Sequence, residues 1–178
     1  MSHAPAEIDT ATRLAQLESR LSLVEDQLAL YQSVSAYGPA VDSLQSQMAA
    51  ALWTEDGVYD IGDPAFDAQG REAIAQLFEA DYHRQLVAQG CAHTMTLPHI
   101  VIRGDTALGL GYHRLFTQTD GQYQLLRLSV SRWEWRKTPE GWRTTKRSHR
   151  LLGEDGEGRV LLQATLADMA AMQQSDNP

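Results

Sequence analysis

Apolar residues near the start of the chain recur at spacings of three and four: Leu14, Leu17, Leu21, Val24, Leu28 and Tyr31. That period is one stripe of an α-helix with coiled-coil character, and it predicts a helix over residues 8–35. The stripe can lie over the body of its own subunit or meet another copy, and three heptads leave both open. Gly38-Pro39 predicts a kink or break, because proline removes a backbone donor and disfavours helical geometry in the residue before it. A second helix is expected over residues 42–53, closed by the turn residues Thr54-Glu55-Asp56-Gly57. A short strand over 58–61 and a loop rich in Gly, Asp and Pro follow. Gly70-Arg71-Glu72 opens a third helix that reaches Gln89 and stops at Gly90.

From Ala92 onward the pattern is that of strands, over residues 93–103, 106–119, 123–137 and 142–152. Turn residues separate them: Gly104-Asp105, Asp120-Gly121 and Pro139-Glu140-Gly141. Helices first and hairpin-linked strands second predict an α+β fold in which a curved, mostly antiparallel sheet packs on the helices. Residues 159–172 predict a last helix, with a tail that frays from Gln173. The expected organisation is a disordered start over 1–7, one domain over 8–152, and a C-terminal helix and tail over 153–178.

With 178 residues the chain has the size of one domain, and 43% hydrophobic residues are ordinary for a globular one. A net charge of −8 argues against phosphate-backbone recognition, which draws on clustered Lys and Arg. The one basic cluster, Arg143 to Arg150, alternates as on a strand. The first residues have no apolar segment of signal-peptide type and no stretch approaches a membrane span, so a cytoplasmic protein without nucleic-acid or membrane partners is expected. The single cysteine, Cys91, permits no intrachain disulfide and reads as a small buried residue. His83 is expected on the exposed side of the third helix, His99 near a strand end and His3 in the disordered start. No histidine has metal-ligand company in sequence and there is no Gly-rich phosphate loop, so neither a metal nor a nucleotide cofactor is expected.

Polar residues stand out where the chain otherwise reads as core. Tyr37 and Asp42 lie in SAYGPAVDSL, and His93 lies in GCAHTMTLPHIVI. An acid to orient an imidazole, an imidazole to take a proton and a phenol to donate one are the minimum for proton abstraction with departure of a leaving group. His113 shares a strand face with Gly109 and Gly111. Arg127, Ser129 and Ser131 share one face of the next strand, and Leu126, Leu128 and Val130 the other. Trp53, Tyr59, Phe66 and Trp133 are expected to line a pocket or core, which points to a bulky apolar substrate.

The order of these features resembles the SnoaL-like branch of the nuclear transport factor 2-like superfamily. It comprises a helix, Tyr-x4-Asp, a strand, a GR-x-x-I helix, then AH opening strands closed by GWR, over about residues 25–152. The resemblance implies a sheet wrapped on the helices into a cone with an internal pocket. Members with an Asp-His pair at this placement include scytalone dehydratase, hexachlorocyclohexane dehydrochlorinase and bile acid 7-alpha-dehydratase, in which the histidine removes a proton from carbon and the aspartate orients it. Those roles fall here on His93 and Asp42, with Tyr37 as the tyrosine of the site. Softer matches place Arg147 and His113 at the substrate. The expected function is a cofactor-independent lyase on a bulky hydroxylated aromatic, alicyclic or steroid-like compound, by dehydration or by carbon–carbon cleavage that releases formaldehyde. An isomerase or cyclase, or a non-catalytic binding or assembly module, are the alternatives. Relatives commonly associate through the back of the sheet, so a homo-oligomer is expected, a trimer first and a dimer second.

Overall fold

The computed structural model describes residues 9–63 and 66–174. The start over 1–7, with His3, and the tail beyond 174 lie outside the described residues. Five helices and seven strands follow one another as α1 (Thr10–Asp42), α2 (Ser46–Ala50), β1 (Trp53–Asp60), β2 (Ala68–Gln69), α3 (Arg71–Glu79), α4 (Asp81–Gln89), β3 (Cys91–Met95), β4 (His99–Arg103), β5 (Thr106–Thr119), β6 (Gln122–Thr138), β7 (Gly141–Leu151) and α5 (Glu157–Gln174). The sheet order is β2-β1-β7-β6-β5-β3, with β4 also on β5, and only the β1–β7 pairing is parallel. This is the expected α+β architecture, a curved sheet folded round the N-terminal helices.

Where sequence and structure differ, the reason is packing. Gly38-Pro39 does not end α1, which runs on to Asp42. Proline there removes one hydrogen bond near the helix end, and the next turn still closes, with the N–H and hydroxyl of Ser43 both donating to the Pro39 carbonyl. Asp42 therefore ends the first helix instead of starting the second, which shrinks to α2. Trp53 opens β1, and the turn-like Thr54–Gly57 is absorbed as an irregularity in its pairing with β7. The third helix is two, because Ala80 takes an extended conformation (ψ 146°) between α3 and α4. Leu97-Pro98 likewise separates β3 from β4, although both pair with β5.

The sheet has two apolar sides. One holds Leu30, Val34 and Tyr37 of α1 with Trp53, Trp133, Trp135, Ile74 and Phe78. The other is covered by α5, whose Leu161, Leu162 and Met169 pack on Val101, Leu108, Leu110 and Val130. The outer face that the sequence left for subunit contact is thus partly closed within the chain, while Tyr112, Leu126 and Leu128 stay exposed. No helix among the described residues is long and apolar enough to cross a membrane.

The end of α1 and β3 approach each other at Gly38, where a Cβ would sit 2.1 Å from the carbonyl oxygen of His93. Only glycine permits that contact. Gly38→Ala should therefore cost about 1–3 kcal/mol, as overpacking of a tight site does, and urea unfolding measures it. Stability equal to the wild type would mean that the two elements can part without loss.

Candidate active site

Asp42 and His93 meet where α1 ends against β3. His93 Nδ1 lies 2.5 Å from Asp42 Oδ1, and the His93 backbone N–H donates to Oδ2 at 2.8 Å. Cys91 Sγ adds a longer contact to Oδ1 at 3.4 Å. One carboxylate thus grips both the ring and the backbone of the same residue, which fixes the imidazole's rotation. A carboxylate in the last turn of a helix opposes the helix dipole, so these donors offset a local cost. Half-burial works against the Asp42 charge, but the two His93 hydrogen bonds outweigh it and hold the carboxyl below its ordinary pKa. With Nδ1–H donating to an ionised acid, Nε2 is the basic nitrogen.

His93 opens on a cavity of about 330 Å³ whose wall includes Tyr37, Tyr59, Phe66, Phe78, Tyr82, His83, Leu115 and Arg127. Tyr37 comes from the same helix as Asp42, and its ring meets the His93 ring edge-on with centroids 6.2 Å apart. The Tyr37 and Tyr59 hydroxyls are 3.1 Å apart. Burial, then the neighbouring Tyr59, raise the Tyr37 pKa, so its phenol stays protonated and able to donate. Behind the pair sits Arg147, 1% exposed, with its guanidinium carbon 4.2 Å from the Tyr37 ring centroid and 4.6 Å from that of Trp133. Arg147 donates to the Tyr59 hydroxyl (3.4 Å) and to Ser131 Oγ (3.2 Å). It has no carboxylate partner among the described residues, and its charge rests on aromatic faces and hydroxyls. A buried cation without a counter-ion sets a positive potential at the phenol end of the cavity.

A row of histidines runs back from His93 behind the wall. His113 stacks on His93 with centroids 5.4 Å apart and planes 13° from parallel, and His149 follows at 5.7 Å. Burial first, then the Arg147 charge, push both pKa values down, that of His149 to about 3. These rings are neutral, so His93 is not crowded by a second imidazolium. His83 is buried, not exposed as expected, because the break at Ala80 turns α4 inward. His83 Nδ1–H donates to the Phe78 carbonyl at 2.7 Å, which leaves Nε2 a buried acceptor without a protein partner.

Of the residues expected at the site, Tyr37, Tyr59, His93 and Arg127 line the cavity, and Asp42 holds the His93 ring. His113, Ser129 and Arg147 stand one layer behind. Trp53 lies in the core, its indole N–H on the Val58 carbonyl at 3.2 Å, and not in the cavity wall. Ser129 Oγ donates to the His113 carbonyl at 3.4 Å. Gly109 and Gly111 admit the Trp135 ring and the Thr96–Pro98 segment, not a ligand. His83 and His149 were missed. His149 could have been found two residues from Arg147 on one strand face, whereas His83 depends on a helix break that only the acidic Asp81 after Ala80 marks.

The fold also gives His93 ligand company that its sequence neighbours did not reveal. Asp42, Cys91 and His93 donor atoms lie within 4.8 Å of one another. Burial, then Asp42, push the Cys91 thiol up to about 12. A cation there would have to displace both the thiol proton and the proton shared by the dyad.

Comparison with known proteins places the fold. The SnoaL-like domain family matches residues 22–148. An NTF2-like protein with a cystatin-like fold from Novosphingobium aromaticivorans is 36% identical, with a TM-score of 0.81 over 88% of this chain and 99% of that one. An N. aromaticivorans protein described as a candidate aromatic ring hydroxylase is 25% identical (TM-score 0.60; 73% of this chain, 91% of that one). A candidate scytalone dehydratase from the same organism superposes with a TM-score of 0.62 over 76% of this chain and 89% of its own; at 18% identity the likeness is one of fold. No curated protein matches the sequence.

The depressed Asp42 pKa fixes the sign of a pH effect. Its contribution to stability is fully present above the unfolded-state value, about pH 4, and is lost as pH falls through the lower folded value. The midpoint gap between wild type and Asp42→Asn in urea unfolding should therefore narrow from pH 5 towards pH 2. A gap that stays constant would show that the carboxylate is not held as an anion.

Proposed function

The chain belongs to the SnoaL-like domain family, and we propose that it is a lyase in which His93 abstracts a proton and a hydroxyl group leaves as water. The observation that carries this reading is the Asp42–His93 hydrogen bond at the wall of a largely apolar cavity. Asp42 orients the ring and stabilises the imidazolium. The proton goes from substrate carbon to His93 Nε2, the electron pair forms the new double bond, and the carbon–oxygen bond breaks. The imidazolium then returns the proton to the departing hydroxide, so neutral His93 and water result. Tyr37 and Tyr59, backed by Arg147, donate to the substrate oxygen on which negative charge accumulates, as an oxyanion site does. His83 Nε2 accepts from a substrate hydroxyl, and Arg127 holds a polar end near Tyr82, to whose hydroxyl it donates.

A cavity of about 330 Å³ is at the small end of ligand pockets, which run from about 300 to 1,000 Å³. That favours a hydroxylated aromatic or alicyclic compound of one or two rings over a steroid-like one. Self-association as a trimer or a dimer belongs to the same proposal, since apolar residues stay exposed on α1 and on the outer face of the sheet.

The test is turnover on a panel of hydroxylated aromatic and alicyclic probes, with water loss read from the new conjugated absorbance and formaldehyde release read separately. His93→Ala should lower kcat by roughly 10²–10⁴, the range for a positioned base, with the fold retained as read by circular dichroism. Asp42→Asn should lower it too, and Tyr37→Phe should lower kcat more than it raises KM. Formaldehyde in place of water would move the proposal to carbon–carbon cleavage by the same base. Near-normal turnover in a folded His93→Ala protein would remove His93 as the base.

A further inference from the structure

α1 is longer than the domain beneath it requires. Its second half enters the core through Leu30, Val34, Tyr37 and Val41. Asp26 marks where body contact begins, accepting from Trp142 Nε1 at 2.8 Å and Lys137 Nζ at 2.9 Å. From Thr10 to Glu25 every residue is exposed. A helix of roughly four turns alone in water is marginal even for favourable sequences.

That segment carries the leucine seam. Leu14, Leu17, Leu21, Val24 and Leu28 are 50–60% exposed. They lie roughly 160° round the helix from the body-facing line of Asp26, Leu30 and Val34, at about 100° per residue, so the subunit's own body cannot reach them. The seam mostly precedes residue 22, where the family match begins.

Charges beside the seam specify an occupant. With Leu14, Leu21 and Leu28 at heptad position a and Leu17 and Val24 at d, Arg13 and Arg20 fall at g, and Glu18 and Glu25 at e. Parallel, in-register helices set each g residue against e of the next heptad on the other helix. Arg13 then meets Glu18 of the second copy, and Arg20 meets its Glu25, with the reciprocal pairs on the other side. Antiparallel helices would instead set Arg against Arg and Glu against Glu. None of the four makes an ion pair within the chain among the described residues. We propose that α1 is a self-association helix that zips in parallel, in register, with α1 of a second copy of this chain, leaving each cavity on its own subunit.

The experiment is the solution mass of the full chain by sedimentation at micromolar concentration, with three sets of variants. The wild type should have a mass of at least two chains. Leu17→Asp/Leu21→Asp should fall to one chain with unchanged near-ultraviolet circular dichroism, because both side chains are exposed. Leu14→Cys should cross-link to itself on oxidation, while the wild type, whose only thiol is the half-buried Cys91, should not. Arg13→Glu/Arg20→Glu should be monomeric alone and regain the larger mass when mixed with Glu18→Arg/Glu25→Arg. A single-chain wild type, an assembly indifferent to Leu17→Asp/Leu21→Asp, or no cross-link at position 14 would each overturn the proposal.

Discussion

The close passage of the last turns of α1 over β3 is the constraint on which the rest of the molecule depends. Gly38 allows backbone contact with His93, and one turn later Asp42 closes on the His93 ring and N–H. Neither half of this arrangement is favourable alone. A glycine and a proline weaken the end of a helix, and an acid in its last turn opposes the dipole. They persist because together they place a carboxylate against an imidazole, and local rules broken in concert mark a site.

The electrostatics of the cavity follow from what is buried next to that pair. Arg147 is held by the faces of Tyr37 and Trp133 and by two hydroxyls, with no acid to neutralise it among the described residues. Burial first and then its field keep His113 and His149 neutral, and its charge points positive potential at the paired phenols. The site is therefore divided. Basic nitrogen backed by a carboxylate stands on one side, and protonated hydroxyls backed by a guanidinium on the other. Proton removal at the first with charge accumulation at the second is the chemistry such a division supports.

The same helix faces two ways. Its inner stripe ends in the Asp42–His93 pair and its outer stripe carries the exposed seam, so the proposed base and the proposed self-association use opposite sides of α1. α5 performs the complementary task on the sheet's outer side, covering Val101, Leu108, Leu110 and Val130 that would otherwise be open to another subunit.

Helices first and hairpin-linked strands after, with the antiparallel hairpins of β5, β6 and β7, were legible in the chain, and the resemblance to the family added the pairing of Asp42 with His93. The order and the hairpins follow from periodicity and turn residues, which are local in the chain, whereas the dyad joins residues 51 apart. The sequence also marked Tyr37, Tyr59, Arg127 and Arg147, which the fold gathers at or just behind one cavity. What contacts across the fold settled is the continuity of α1 through Pro39, the parallel β1–β7 pairing and the split at Ala80 that brings His83 inward. In each case contacts between segments distant in sequence outweigh a local preference of comparable size: a proline, a turn-like stretch and a helical run each yield to packing that no local window contains.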